Sequence, residues 1–166
     1  MKQISRLLFR RTIVLFVFAV ALSMMIAGQE TYRTYSNARF DYSIAYPANL
    51  LYPQGESANG DGQKFLSKDG HAELIVWGSN NALNERLKDV YERESGVSSD
   101  HPKRVVSYKV LKPEWFVISG REDHRIFYQK TFLKGDVFKS FRIEYSDSDN
   151  ARFDQIIKRI EKSFRV

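Results

Sequence analysis

The sequence contains no cysteine. That excludes disulfides, thiol catalysis, cysteine-ligated zinc, iron–sulfur clusters and a lipid-modified N-terminal cysteine. Histidine is scarce, with three in 166 residues. A histidine-built zinc site would have to gather His71, His101 and His124 from distant segments, and separate loop histidines are the simpler reading. A strong charge of one sign is also missing once position is considered. The formal charge is +6, but Lys2, Arg6, Arg10 and Arg11 supply four of the 26 basic residues, and the remaining 22 stand against 20 acidic ones. The body is close to neutral, which removes the electrostatic case for nucleic acid.

Only one long apolar run is present, "TIVLFVFAVALSMMIAG" from Thr12 to Gly28, preceded by the basic leader "MKQISRLLFRR". This pattern predicts a signal peptide or signal anchor over residues 1–28. The positive flank stays in the cytoplasm, so the domain is expected outside it: periplasmic, or anchored in the inner membrane with its folded part on the periplasmic side. Small residues spaced for cleavage are lacking, because Met25 precedes Ala27 and Ile26 precedes Gly28. As a helix the run spans about 25 Å against a core of roughly 30 Å, a shortfall that flanking residues can make up, so an anchor stays open beside cleavage. Arg10 and Arg11 lack the basic residue that follows a twin-arginine pair, so ordinary export is expected. Residues 29–37, "QETYRTYSN", are polar without apolar period and read as a tether. About 138 residues remain after the leader, enough for a self-sufficient core.

Residues 38–166 read as a single α+β domain. "FDYSIAYP" alternates Phe40, Tyr42, Ile44 and Tyr46 against smaller or polar residues, as a strand does, and Pro47 ends it. "QKFLS" and "AELIVWG" flank "KDG", where Asp-Gly suits a tight hairpin turn. In "NALNERLKDVYERESG" the period changes: Leu83, Leu87, Val90 and Tyr91 share one helical face, with Asn81 as start and Gly96 as end. "VVSYKVL", "WFVISGRE", "RIFYQKTFL" and "VFKSFRIEYS" then form a meander. "DNARFDQIIKRIEKSFRV" closes the chain as an amphipathic helix carrying Phe153, Ile156, Ile157, Ile160 and Phe164 inward, with Asp147, Ser148 or Asp149 as cap. The expected architecture is an antiparallel sheet of about six to seven strands flanked by helices.

The opening strand ending Tyr46-Pro47, the central helix, the meander and a closing helix "IIKRIEKSF" ending Ser163-Phe164 resemble the PsbP-like fold family over residues 38–166. The resemblance implies an antiparallel sheet flanked by helices and, since the family mostly binds partners without a shared catalytic constellation, a binding function rather than an enzyme. It implies no site residue.

Candidate chemistry centres on "NGDGQKFLSKDGHAELIVWG". An EF-hand loop requires glycine at position 6 and glutamate at position 12. Counting from Asn59 these are Lys64 and Gly70, and counting from Asp69 position 6 is Leu74. No calcium loop results. Asp69, His71 and Glu73 could share a strand face and hold a softer metal, the alternative in which the protein is a metal-dependent site or enzyme. Ser119 in "VISGR" lacks the upstream glycine of a nucleophile elbow. "KGDVFKSF" overlaps an RNA-recognition pattern, but Asp136 and Val137 depart from it. Lys158, Arg159 and Lys162 on the last helix could meet anionic lipid, though cations there also offset the helix dipole. Among twelve Phe, nine Tyr and two Trp, Trp77 and Trp115 are the candidate partner- or ligand-binding aromatics. The expectation is a non-catalytic module binding an envelope protein or a small ligand, without a cofactor.

Overall fold

A computed structural model of the chain describes residues 30–96 and 102–166. The leader and apolar run lie outside them, as does His101, and among the described residues no helix is long and apolar enough to cross a membrane. The tether expected up to Asn37 is, from Tyr32 on, strand β1 (Tyr32–Asn37), paired antiparallel with β2 (Tyr42–Pro47) from Tyr32↔Pro47 to Asn37↔Tyr42. Its sequence hides the strand because only Asn37 is buried. The ladder and its end hold it: Asn37 Oδ1 accepts from the Phe40 amide at 2.9 Å, and Nδ2 donates to the Gly60 carbonyl at 3.0 Å.

A second sheet has seven strands, all neighbours antiparallel: β3 (Tyr52–Glu56), β4 (Gly62–Leu66), β5 (Ala72–Asn80), β9 (Val137–Ser146), β8 (Arg125–Lys134), β7 (Trp115–Glu122) and β6 (Arg104–Leu111), in that spatial order. The meander β6 to β9 and the β4–β5 hairpin are as the sequence predicts, and Gly70 supplies the positive φ of +72° in the Asp-Gly turn. β3 is an unexpected edge strand, mostly exposed and interrupted by a bulge between Pro53 and Glu56.

Helix α2 (Asn150–Ser163) and the β1–β2 hairpin cover one face of the sheet. Phe153, Ile156, Ile157 and Ile160 are buried there as their spacing predicts, and Phe164, one residue past the helix, still packs on Phe141 with ring centroids 5.2 Å apart. Asp147–Asp149 form a 3-10 turn, and Asp149 takes the N-cap position without a side-chain hydrogen bond to the helix.

Tyr145 stacks on Phe153 at 4.5 Å, and its hydroxyl donates to Asn150 Oδ1 at 3.3 Å. Burial, helped by Asp154 and Asp147, raises its pKa from 10.0 to about 12. Tyr42 and Tyr128 are likewise raised, by burial first. A raised folded pKa means that the stabilisation is complete below the unfolded value and is lost as pH rises through the folded one. Unfolding free energy is therefore expected to hold until about pH 10 and to fall toward pH 12, less steeply in Tyr145→Phe. Urea titrations across that range check this, and parallel curves for the two proteins would remove Tyr145 from the account.

Helix α1 (Leu87–Ser95) lies on the opposite face, setting Leu87 and Val90 against Phe116, Ile118, Phe127 and Phe138. It starts later than its apolar spacing predicts. Asn81 does not cap it. Instead the Asn81 side chain accepts from the Glu85 amide at 2.9 Å and donates to the Glu85 carbonyl at 3.0 Å, closing a loop of its own. Leu83, expected on the buried stripe, is thereby left 82% exposed.

Candidate binding site

Successive residues of a strand point to opposite faces, so Trp77, Ser140, Gln129 and Thr131 all stand on the α1 side of the sheet. Trp77 has Gly62 opposite it on β4 and Ser140 opposite it on β9. Gly62 is required there: an added Cβ would sit 2.0 Å from the Val76 carbonyl and 2.8 Å from Trp77 Cα. With no side chain on one flank and a hydroxymethyl on the other, the half-buried indole has room beside it. Among the described residues it has no ring partner and no hydrogen bond to its N–H.

Between this floor and α1 lies a cavity of about 240 Å3. Gln129, Thr131 and Ser140 form its base and are 4%, 3% and 2% exposed. Leu83, Glu85 and Arg93 are among its walls. Ser140 Oγ donates to Thr131 Oγ1 at 3.0 Å, and Gln129 Nε2 donates to the same oxygen at 3.5 Å. Among the described residues one N–H of Gln129 and the Thr131 hydroxyl hydrogen are left without an acceptor. Arg93 forks onto Glu85, so the wall's charges cancel.

Behind the base runs a charged network that fixes it. Arg142 donates from Nη1 to Gln129 Oε1 at 3.3 Å, from Nε to Glu144 at 2.6 Å and from Nη2 to Glu122 at 2.5 Å. Arg104, whose side chain is 2% exposed, reaches Glu122 at 3.0 Å and donates to the Glu94 carbonyl of α1 at 3.0 Å. The Phe127 ring meets both guanidiniums, its centroid 4.3 Å from Arg142 and 5.4 Å from Arg104. Stacking of this kind suits arginine, whose planar group is weakly hydrated. Buried charges persist only when paired, and here the pairing joins α1, β6, β7 and β9.

No protein-family model matches the sequence, and no curated protein matches it. A solved structure does: cyanobacterial PsbP (CyanoP) from Synechocystis sp. PCC 6803, with a TM-score of 0.61 at 14% identity, over 84% of this chain and 94% of that one. The fold is PsbP-like. Identity this low carries the architecture and nothing about a ligand.

The PsbP-like sheet separates residues that the sequence groups. Asp69 and His71 sit in the β4–β5 turn rather than on a strand, so alternation does not align them with Glu73. Ser67 Oγ donates to Asp69 Oδ1 at 2.5 Å and the His71 amide donates to the same oxygen at 3.0 Å. These bonds, the Ser67 one first, hold the Asp69 carboxyl below its ordinary range. His71 Nδ1 is 3.7 Å from Asp69, while Glu73 pairs with Lys64 at 3.3 Å. Among the described residues no three His, Cys, Asp or Glu side chains gather for a metal.

Trp115 is engaged in packing on the α2 side: Lys130 Nζ lies 4.3 Å above its ring and pairs with Glu161 at 2.7 Å, and Phe132 is 6.4 Å away. Lys158, Arg159 and Lys162 point outward from α2, with the Arg159 guanidinium 3.9 Å from the Tyr32 ring centroid. Of the residues singled out in the sequence as candidate site residues, Trp77 is the one that lines the cavity among those described. Gln129, Thr131, Ser140, Leu83 and Arg93 were missed, although Ser140 carries a signal: it interrupts "VFKSF", a run buried from Phe138 to Phe141 on both faces.

Proposed function

We propose that this chain is an exported, non-catalytic binding module whose site is the cavity under α1. One observation carries the reading: a half-buried tryptophan without partners stands beside hydroxyl and amide groups that are buried and hold spare donors. Ligand sites characteristically combine an apolar surface with a few placed polar groups. The PsbP-like architecture supports an accessory role, and the basic leader with its apolar run supports export.

The test is a photo-reactive residue placed at Leu83, on the cavity rim, or at Asp154, exposed on α2, in the full chain expressed in intact cells. Covalent adducts are expected from Leu83 and not from Asp154, and they should diminish when Trp77 is replaced by alanine. Equal adducts from both positions, or none from Leu83, would overturn the site. Alkaline extraction of membranes separates an anchored chain from a released one.

A further inference from the structure

We infer that the cavity takes a neutral saccharide, one sugar ring lying against Trp77 with its hydroxyls toward Gln129, Thr131 and Ser140; this rests on the binding-module reading above. Four properties of the lining select that chemistry. First, among the described residues it offers no uncompensated charge: Arg93 is held by Glu85, and Glu94 Oε2 lies 3.7 Å from Arg104. An ionic ligand would give up hydration without finding a counter-ion. Second, the base is polar and nearly fully buried. A purely apolar occupant would displace water from Gln129 and Thr131 and leave their donors unmatched, which is unfavourable.

Third, β5, β9 and β8 are interior strands, and the edge left open beside the cavity is only the end of β5, where Ser79 and Asn80 pair with β9 but have no partner on β4. An edge that short gives a peptide little to extend, which disfavours strand addition. Fourth, the base presents donors and acceptors within one small area, and the half-buried indole that lines the cavity beside it has, among the described residues, no ring partner and no hydrogen bond to its N–H. A pyranose matches this combination, since its ring has an apolar C–H face for the indole and a rim of hydroxyls that donate and accept. Asn80, Asn81 and Ser79 continue the polar lining toward the rim, where a second sugar of a longer glycan would leave the cavity.

The sequence contains two tryptophans, so a full-length Trp115→Phe chain reports on Trp77 alone. N,N′-diacetylchitobiose, maltotriose and cellotriose are titrated against it by indole fluorescence and against the unmodified chain by calorimetry. A saturable response to at least one is expected, weakened about tenfold by Thr131→Val, the effect of one lost hydrogen bond. Thermal melts of each variant confirm that it folds, and Ser140→Ala provides a second, smaller change in the same base.

Silence toward all three sugars up to about 10 mM, beyond the weak end of specific binding, would overturn the saccharide assignment. So would an equal response to inorganic phosphate. Adducts from Leu83 that persist alongside that silence would leave the binding site standing and dismiss the sugar. Loss of both would dismiss the site itself.

Discussion

Phe141→Ala is expected to cost about 4 kcal/mol, because a fully buried phenylalanine is lost together with the space it fills. The residue lies at the centre of β9, is 0% exposed, stacks 5.9 Å from Tyr128 and meets Phe164 edge-on at 5.2 Å. Those contacts join β9 to the neighbouring strand β8 and to the chain beyond α2. None of the strands involved can move inward to close the gap, since their positions are set by ladders on both sides. For a domain of this size the change corresponds to a fall in Tm on the order of 12 °C. Phe141→Leu retains much of the volume and should lose about 1–2 kcal/mol. Urea and thermal denaturation of both variants decide the matter, and an alanine variant melting within a few degrees of the parent would show that this core relaxes far more than its geometry implies.

The second large effect belongs to Glu122→Ala. Glu122 is the shared acceptor of Arg104 and Arg142, whose side chains are 2% and 11% exposed. Removing one member of a buried charge group costs about 3–5 kcal/mol, mostly from the charge left without its partner. Arg142 keeps Glu144 and Arg104 keeps the Glu94 carbonyl, so the expected loss lies near the lower end, about 3 kcal/mol. It should change little with added salt, because the pairs are shielded from solvent ions. The effect should also reach the cavity. Arg142 holds the Gln129 carbonyl oxygen, and the Gln129 side-chain amide resonance should shift when Glu122 is removed. A loss below about 1 kcal/mol, in the range of exposed pairs, would mean that Arg104 and Arg142 find water instead.

The parts of this fold that were legible in the sequence are those where burial alternates with the strand or follows the helical turn. Tyr42, Ile44 and Tyr46 mark β2, and Phe153, Ile156, Ile157 and Ile160 mark α2, because each set faces one core. Asp-Gly located the β4–β5 turn through backbone geometry. β1 and β3 were illegible for a common reason: their residues gain little from burial and are held by pairing, which composition does not encode. Leu83 misled because apolar spacing continued while the Asn81 side chain had already bent the backbone into a loop.

The candidate site was less legible still. Gln129, Thr131 and Ser140 are what the outward face of an ordinary strand would carry. They become a buried base only because α1 lies over them, and that placement depends on Leu87 and Val90 meeting aromatics from β7, β8 and β9. Trp77 could be singled out as an aromatic, but its free flank depends on Gly62, which belongs to another strand. Asp69, His71 and Glu73 fit a metal by spacing, but Asp69 and His71 lie in the turn, ahead of the alternation in which Glu73 stands.

The place of β9 between β5 and β8 also orders the way the chain assembles. β6 to β9 pair with sequence neighbours, so their ladders close through short turns. β5 joins β9 with Asn80 opposite Val137, closing a loop that contains α1 and three strands. Loop closure of that length is entropically costly before its contacts form. The meander is expected to form first, with β5 and the segments before it docking onto an existing β9. Conservative truncations in β8 and β9 should therefore slow folding, whereas those in β4 and β5 should chiefly speed unfolding. Because β9 follows β3, β4 and β5 in the chain, that order keeps the earlier strands waiting for their partner until β9 has been synthesised.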